Sequence, residues 1–332
     1  MKTRQKGILF FAVVAGIMLT SAVTLAVNPS QWFDNSSLED DMNIPTTEEF
    51  DAFDPDALGL DLGYNPGEKL QFCSTNDQPL SNQYVKEYKI PTECTQPLAI
   101  TIDHTGNVWF AETNTGDIAK FDPLTETFTE YNNTEWEDVE KIFIMTALDN
   151  NAQPTKLRSM IWGIDYFPDG SVWFTDETTD AIWKFTIDAE TYDRISYSQS
   201  DEKSSLPQKL VIDGSKIIIN DFSGGKLSFL DYAQDREGLR HYSIPSVVPD
   251  AVTSDFGIDS DKNVWYTNWV PSGQGILVKF DYPGYEFQAT QGEVTQGLLL
   301  QDFVEWYNFP PGLTTPNGVT VGPEQKIWLA DT

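Results

Sequence analysis

The sequence predicts an all-β protein, a β-propeller of four-stranded blades. Three observations predict it. A block of about 45 residues recurs along the chain, the spacing of a propeller blade. Each copy divides into short strands separated by turns rich in Asp, Gly, Asn and Ser. An apolar anchor, usually Trp, recurs in the second strand of every copy: Trp109, Trp173, Ile218, Trp265 and Trp328.

The copies occupy residues 97–131, 161–197, 207–242 and 255–281, the last closed by 304–310, with a fifth starting at 316. The reading is four complete blades plus an unfinished fifth, with insertions at 132–157 and 282–303. Within a copy, an apolar first strand meets the anchor-bearing second strand. A third strand ends in Phe-Asp, Phe-Thr or Leu-Asp, and a fourth carries a Tyr. The anchors are expected to pack between adjacent blades. Residues 83–91 resemble the fourth strands at 239–245 and 304–310, so they are expected to complete the last blade and hide its edge. Even then that blade lacks its third strand, and a truncated chain is expected.

Three domains are expected: a leader at 1–27, an acidic stalk at 28–82 and the propeller at 83–332. In the leader, Lys2, Arg4 and Lys6 precede the apolar run Ile8 to Val27. That is the order of a secretory signal, at the length of a membrane-spanning anchor. Both readings stay open, and both place the rest outside the cytoplasm, secreted or on the outer face of the plasma membrane. The only cysteines are Cys73 and Cys94. In that compartment an even pair points to a disulfide, with two free thiols as the alternative. Fifty-one acids against 21 bases leave a net charge of −30. Such a surface repels phosphate backbones and excludes nucleic acid as a partner. It favours solubility and the attraction of cations.

Three residues after each anchor stands a polar side chain: Glu112, Asp176, Asp221, Asn268 and Asp331. Repeat symmetry places them as a ring on one face. Oxygen donors in a ring can hold a hard divalent cation, Mg or Ca; they can equally cap the following turn. The positions where the innermost strands begin vary between copies, which is where a specific pocket would be written. Trp162, Gln208, Asp255 and Asn317 are the expected lining, unless Trp162 and Phe256 plug the channel. In the first insertion, Thr134 and Glu137 form a capping box, and Trp136, Val139, Ile142 and Phe143 recur at helical spacing. A short amphipathic helix over the channel mouth is expected. The second insertion reads as an irregular loop on the opposite face.

The pattern P-x-G-I-x-x-D-x-x-G-x-V-W-F-T-[DE], followed by an I-x-[KR]-[FI]-[DT] strand, resembles the repeat of the streptogramin lyase (virginiamycin B lyase) family. NHL and regucalcin/gluconolactonase propellers are related. The resemblance covers 83–332 and implies seven blades in a longer chain. It also implies an elimination that opens a cyclic ester, with a His base beside magnesium held by carboxylates. The two histidines do not suit that role: His104 lies in a turn away from the ring, and His241 in an outer strand. A gluconolactonase-like site would use Glu, Asn and Asp around calcium, types matched by Glu112, Asn268 and Asp221. Three functions follow: a propeller binding a ligand or cell-surface partner on its channel face, a divalent-metal lyase or lactonase acting on cyclic esters, and a structural surface module.

Overall fold

A computed structural model describes residues 79, 81–139, 158–196, 205–223, 225–231, 240–244, 248, 251–270, 274–290 and 300–331. The leader, Cys73 and most of the stalk lie outside the described residues. Among those described, no helix is long and apolar enough to cross a membrane.

Strands form where β-branched and aromatic residues alternate between turns, and they pair as antiparallel meanders. Blade I is β1 (Ile100–Ile102), β2 (Val108–Glu112), β3 (Asp117–Asp122) and β4 (Thr127–Tyr131). Blade II is β5 (Ile164–Phe167), β6 (Ser171–Asp176), β7 (Ala181–Thr186) and β8 (Thr191–Ser196). Blade III is β9 (Pro207–Asp213), β10 (Lys216–Asp221), β11 (Lys226–Asp231) and β12 (Arg240–Ile244). Blade IV is β13 (Phe256–Ile258), β14 (Val264–Val270), β15 (Gln274–Phe280) and β16 (Val304–Asn308). A two-stranded sheet, β17 (Pro316–Val321) and β18 (Ile327–Asp331), follows.

The core sits between blades. Successive side chains of a strand point to opposite faces, so β6 sends Val172 and Phe174 toward blade I and Trp173 toward blade III. Likewise β10 sends Ile217 and Ile219 toward blade II and Ile218 toward blade IV. Phe185, Phe229 and Phe280 are fully buried at these junctions, each contributing about 2–3 kcal/mol through the area removed from water. Trp109, Trp173 and Ile218 thus each face the following blade. Trp328 is 61% exposed, because no described sheet lies against its side of β18.

The inner strands run side by side, β1 with β5, β5 with β9 and β13 with β17. A polar side chain near the end of each second strand latches the next blade. Thr113 Oγ1 donates to Ile161 O (3.3 Å), Thr175 Oγ1 to Gln208 O (2.7 Å), Asn220 Nδ2 to Thr253 O (2.8 Å) and Thr267 Oγ1 to Pro316 O (3.2 Å). Thr175 also accepts Gly163 N (3.0 Å), and Asn220 accepts Lys209 N. One side chain therefore serves two inner strands at once. Such bonds satisfy inner-strand groups that no ladder reaches.

Three expectations require correction. Residues 83–90 form no strand and complete no blade; they lie along blade I. Tyr88 packs on Phe121 (centroids 4.5 Å apart), and Thr92 N donates to Glu130 Oε1 (2.9 Å). The second insertion begins with a helix, α1 (Tyr282–Thr290), and ends with a 3₁₀ turn (Leu300–Phe303). Asp281 Oδ1 accepts Gly284 N (3.0 Å) at the start of that helix, and Tyr282 buries against Phe229 and Phe280. In the first insertion the helical residues 134–139 are capped by Asn133, whose Oδ1 accepts Trp136 N (3.1 Å), rather than by Thr134. Trp136 is buried in the core shared by blades I and II; Ile142 and Phe143 lie outside the described residues.

Candidate functional site

Antiparallel pairing brings the end of each second strand beside the start of its first strand. The polar ring positions and the inner-strand starts therefore share one face. Asp176 Oδ1 accepts Met160 N and Thr178 N (both 3.2 Å), and its Oδ2 accepts Thr179 Oγ1 (2.5 Å). Asp221 Oδ2 accepts Ser228 Oγ. Asn268 Nδ2 donates to Thr253 Oγ1 (2.7 Å). Asp331 Oδ1 accepts Thr315 N (2.6 Å). At Met160, Thr253 and Thr315 these bonds reach the segment leading into the first strand of the same blade.

Glu112 differs. It is 1% exposed, and its Oε1 has no hydrogen-bond partner among the described residues. Burial, then the neighbouring Glu130 and Asp117 carboxylates, push its pKa up to about 8 from 4.5. The folded chain keeps this proton at pH values where the unfolded chain has released it, so stability falls as pH rises between those two values. Glu112→Gln is expected to melt with wild type near pH 4.5 and a few degrees above it near pH 8.5. Thermal melts across that range check this; an offset independent of pH would refute it. Among the described residues, no group of three His, Cys, Asp or Glu is arranged to hold a metal ion.

The positions expected to line a pocket separate. Phe256 is fully buried in the core between blades III and IV, whereas Trp162 is 46% exposed. The carboxylate of Asp255 is engaged by Lys209 Nζ (2.7 Å), Phe256 N (2.7 Å) and Val319 N (2.8 Å). It braces β13 against β9 and β17. Asn317 is half-buried near the start of β17. Trp162 and Gln208 are brought together by a residue the repeat did not single out, Glu177. Its Oε2 accepts Trp162 Nε1 (2.5 Å) and Gln208 Nε2 (3.2 Å). Burial raises the Glu177 pKa. The available signal was the extra acid directly after Asp176, in the turn "TDETTD".

His104 is exposed in the β1–β2 turn, at the opposite end of the strands, with Nδ1 2.7 Å from Tyr166 Oη. The His241 side chain lies outside the described residues. Cys94 is disulfide-bonded.

Among solved structures, the chain resembles a catalytically inactive virginiamycin B lyase from Staphylococcus aureus with quinupristin. The TM-score is 0.52 and the identity 16%, over 74% of this chain and about two thirds (67%) of that one. The fold is a β-propeller. A streptogramin B lyase structure matches at TM-score 0.44 and 17% identity, over 74% of this chain and 80% of that one. A periplasmic gluconolactonase from Pseudomonas aeruginosa matches at 0.47 and 12%, over 71% and 63%. The likeness inferred from the repeat thus holds at the level of the fold. No family model matches the sequence. No curated protein matches it.

Proposed function

We propose that this β-propeller binds a ligand or partner on the face where its second strands end, and that its N-terminal segment places it outside the cytoplasm. One observation carries the reading. Trp162, at the start of an inner strand, presents a half-exposed indole whose edge is fixed by Glu177, which also fixes Gln208. An aromatic held in place by half-buried polar groups loses little freedom on binding, which is how preformed sites gain affinity. A lyase or lactonase reading draws on fold likeness alone, and fold does not carry chemistry. The carboxylates of Asp176, Asp221 and Asp331 accept hydrogen bonds from the chain itself, and Asn268 donates through its amide nitrogen.

The test is a thermal-shift and tryptophan-fluorescence screen of a small-molecule library against wild type and Trp162→Ala. At least one compound should stabilise wild type saturably, with the effect lost in Trp162→Ala while the unliganded midpoint stays within about 2 °C, as for a partly exposed side chain. Hits that bind both proteins alike would place the site elsewhere and refute the reading.

A further inference from the structure

The charge around Trp162 is unbalanced in a way that names a ligand class. Three acids, Asp176, Glu177 and Asp180, follow one another at the end of β6 and in its turn. The charge of Arg194 acts on Asp176 and Asp180, and its Nη2 donates to Thr179 O (2.6 Å). Among the described residues, the charges that act on Glu177 are Asp176 and Asp180, both negative. Its two hydrogen bonds come from neutral donors, an indole and an amide, and both end on Oε2. Oε1 has no hydrogen bond among the described residues. The lysine next to Gln208 is committed elsewhere, since Lys209 Nζ bonds Asp255 Oδ1 (2.7 Å) and Phe256 O (2.6 Å).

A largely buried carboxylate with no cation beside it among the described residues is costly, and a ligand supplying positive charge lowers that cost. Beside it stands the Trp162 ring, fixed at its edge and half-exposed. An indole face attracts a cation within about 6 Å of its centroid, more strongly as water is excluded. A bare metal ion is disfavoured, because the described residues offer no three-acid cage. A neutral sugar or lipid would stack on the ring but leave the charge unanswered.

We infer that the Trp162–Glu177–Gln208 site takes an organic cation, an alkylammonium head seated on the Trp162 ring beside the Glu177 carboxylate. The inference rests on the ligand-face reading above and assigns its ligand class. The net charge of −30 adds a long-range field that draws cations toward the protein and weakens with salt.

The experiment titrates the full chain with choline and, separately, with its neutral isostere 3,3-dimethyl-1-butanol. Tryptophan fluorescence and the melting midpoint are read for wild type, Glu177→Gln and Trp162→Leu. Choline should saturate the wild type and bind it at least about tenfold more tightly than the alcohol. Each substitution should weaken choline about tenfold or more. Equal binding of choline and alcohol, abolished in Trp162→Leu, would overturn the cation assignment while leaving the ligand-face reading standing. Choline binding unchanged in both variants would overturn the assignment to this site. No saturation by choline would overturn the cation class; the ligand-face reading then stands or falls on the library screen. Should Glu177→Gln fail to fold, the wild-type preference for choline over the alcohol and the Trp162→Leu titration decide the matter.

Discussion

Gly163→Ala is expected to lower the melting midpoint by about 9 °C. A Cβ at position 163 would stand 2.5 Å from Gln208 O, 2.7 Å from Leu210 N and 3.0 Å from Lys209 Cα. All three are backbone atoms of β9, the inner strand of the next blade. They can retreat only if the junction between blades II and III opens. That junction is fixed by Thr175, which accepts Gly163 N (3.0 Å) and donates to Gln208 O (2.7 Å). Overpacking a rigid contact of this kind costs about 3 kcal/mol, and each kcal/mol shifts the midpoint of a domain this size by about 3 °C. Gly257, at the same place in blade IV, is the control. Its added Cβ would meet Val321 Cγ2 at 3.2 Å, a side chain that can turn away, so Gly257→Ala should cost under about 1 kcal/mol. Melts followed by circular dichroism separate the two. Equal shifts would mean that close approach of inner strands does not govern this junction.

That glycine shows what the sequence exposes. The repeat was legible because every blade solves the same problem, a sheet apolar on both faces, with the same alternation and the same second-strand anchor. Position 163 belonged to the repeating P-x-G pattern, although nothing in the pattern says that the glycine makes room for a neighbouring backbone. The candidate site was half legible. Trp162 and Gln208 could be picked out because symmetric positions carry different residues, but Glu177 joins them across two blades, and only coordinates reveal such a bond. Asp255 was selected by the same logic, and Phe256 was named beside it as a possible channel plug; both also serve packing. The first replaces a proline with a carboxylate that ties three strands together, and the second turns into the core.

The two errors of secondary structure share a cause. Residues 83–90 have a fourth-strand pattern, yet the chain there docks on blade I through Tyr88 and Thr92 and pairs in no ladder. Around α1 the polar Gln-rich run concealed Tyr282 and Tyr285, whose rings cover Phe280. In both, tertiary contacts of a few aromatic rings outweigh local pattern.

The turn between first and second strands carries the other large effect. Asp103 accepts five hydrogen bonds: Thr105 N (2.8 Å), Thr105 Oγ1 (2.6 Å), Asn107 N (3.0 Å), Asn107 Nδ2 (3.1 Å) and Trp109 Nε1 (2.9 Å). Burial alone raises the Asp103 pKa, but the bonds from Thr105, Trp109 and Asn107 outweigh it and hold the carboxyl far below the usual range. Asp103→Ala is expected to cost about 3 kcal/mol, because Trp109 is 1% exposed and its indole N–H would be buried without a partner. In blade IV, Asp259 repeats the device with Asn263 and with Trp265 Nε1 (2.8 Å). Trp265 is only half-buried, so water can replace the lost acceptor and Asp259→Ala should cost about half as much. The pH dependence follows from the depressed pKa. The charge-dependent part of this stability is present above the unfolded-state pKa of about 4 and is lost as pH falls below it. Urea melts from about pH 2.5 to 6 should therefore be steeper in pH for wild type than for Asp103→Asn, which cannot titrate. Parallel curves would mean that the turn is held by its backbone bonds, Asp103 N to Asn107 O and Gly106 N to Asp103 O (both 3.0 Å), and that the carboxylate adds little to them.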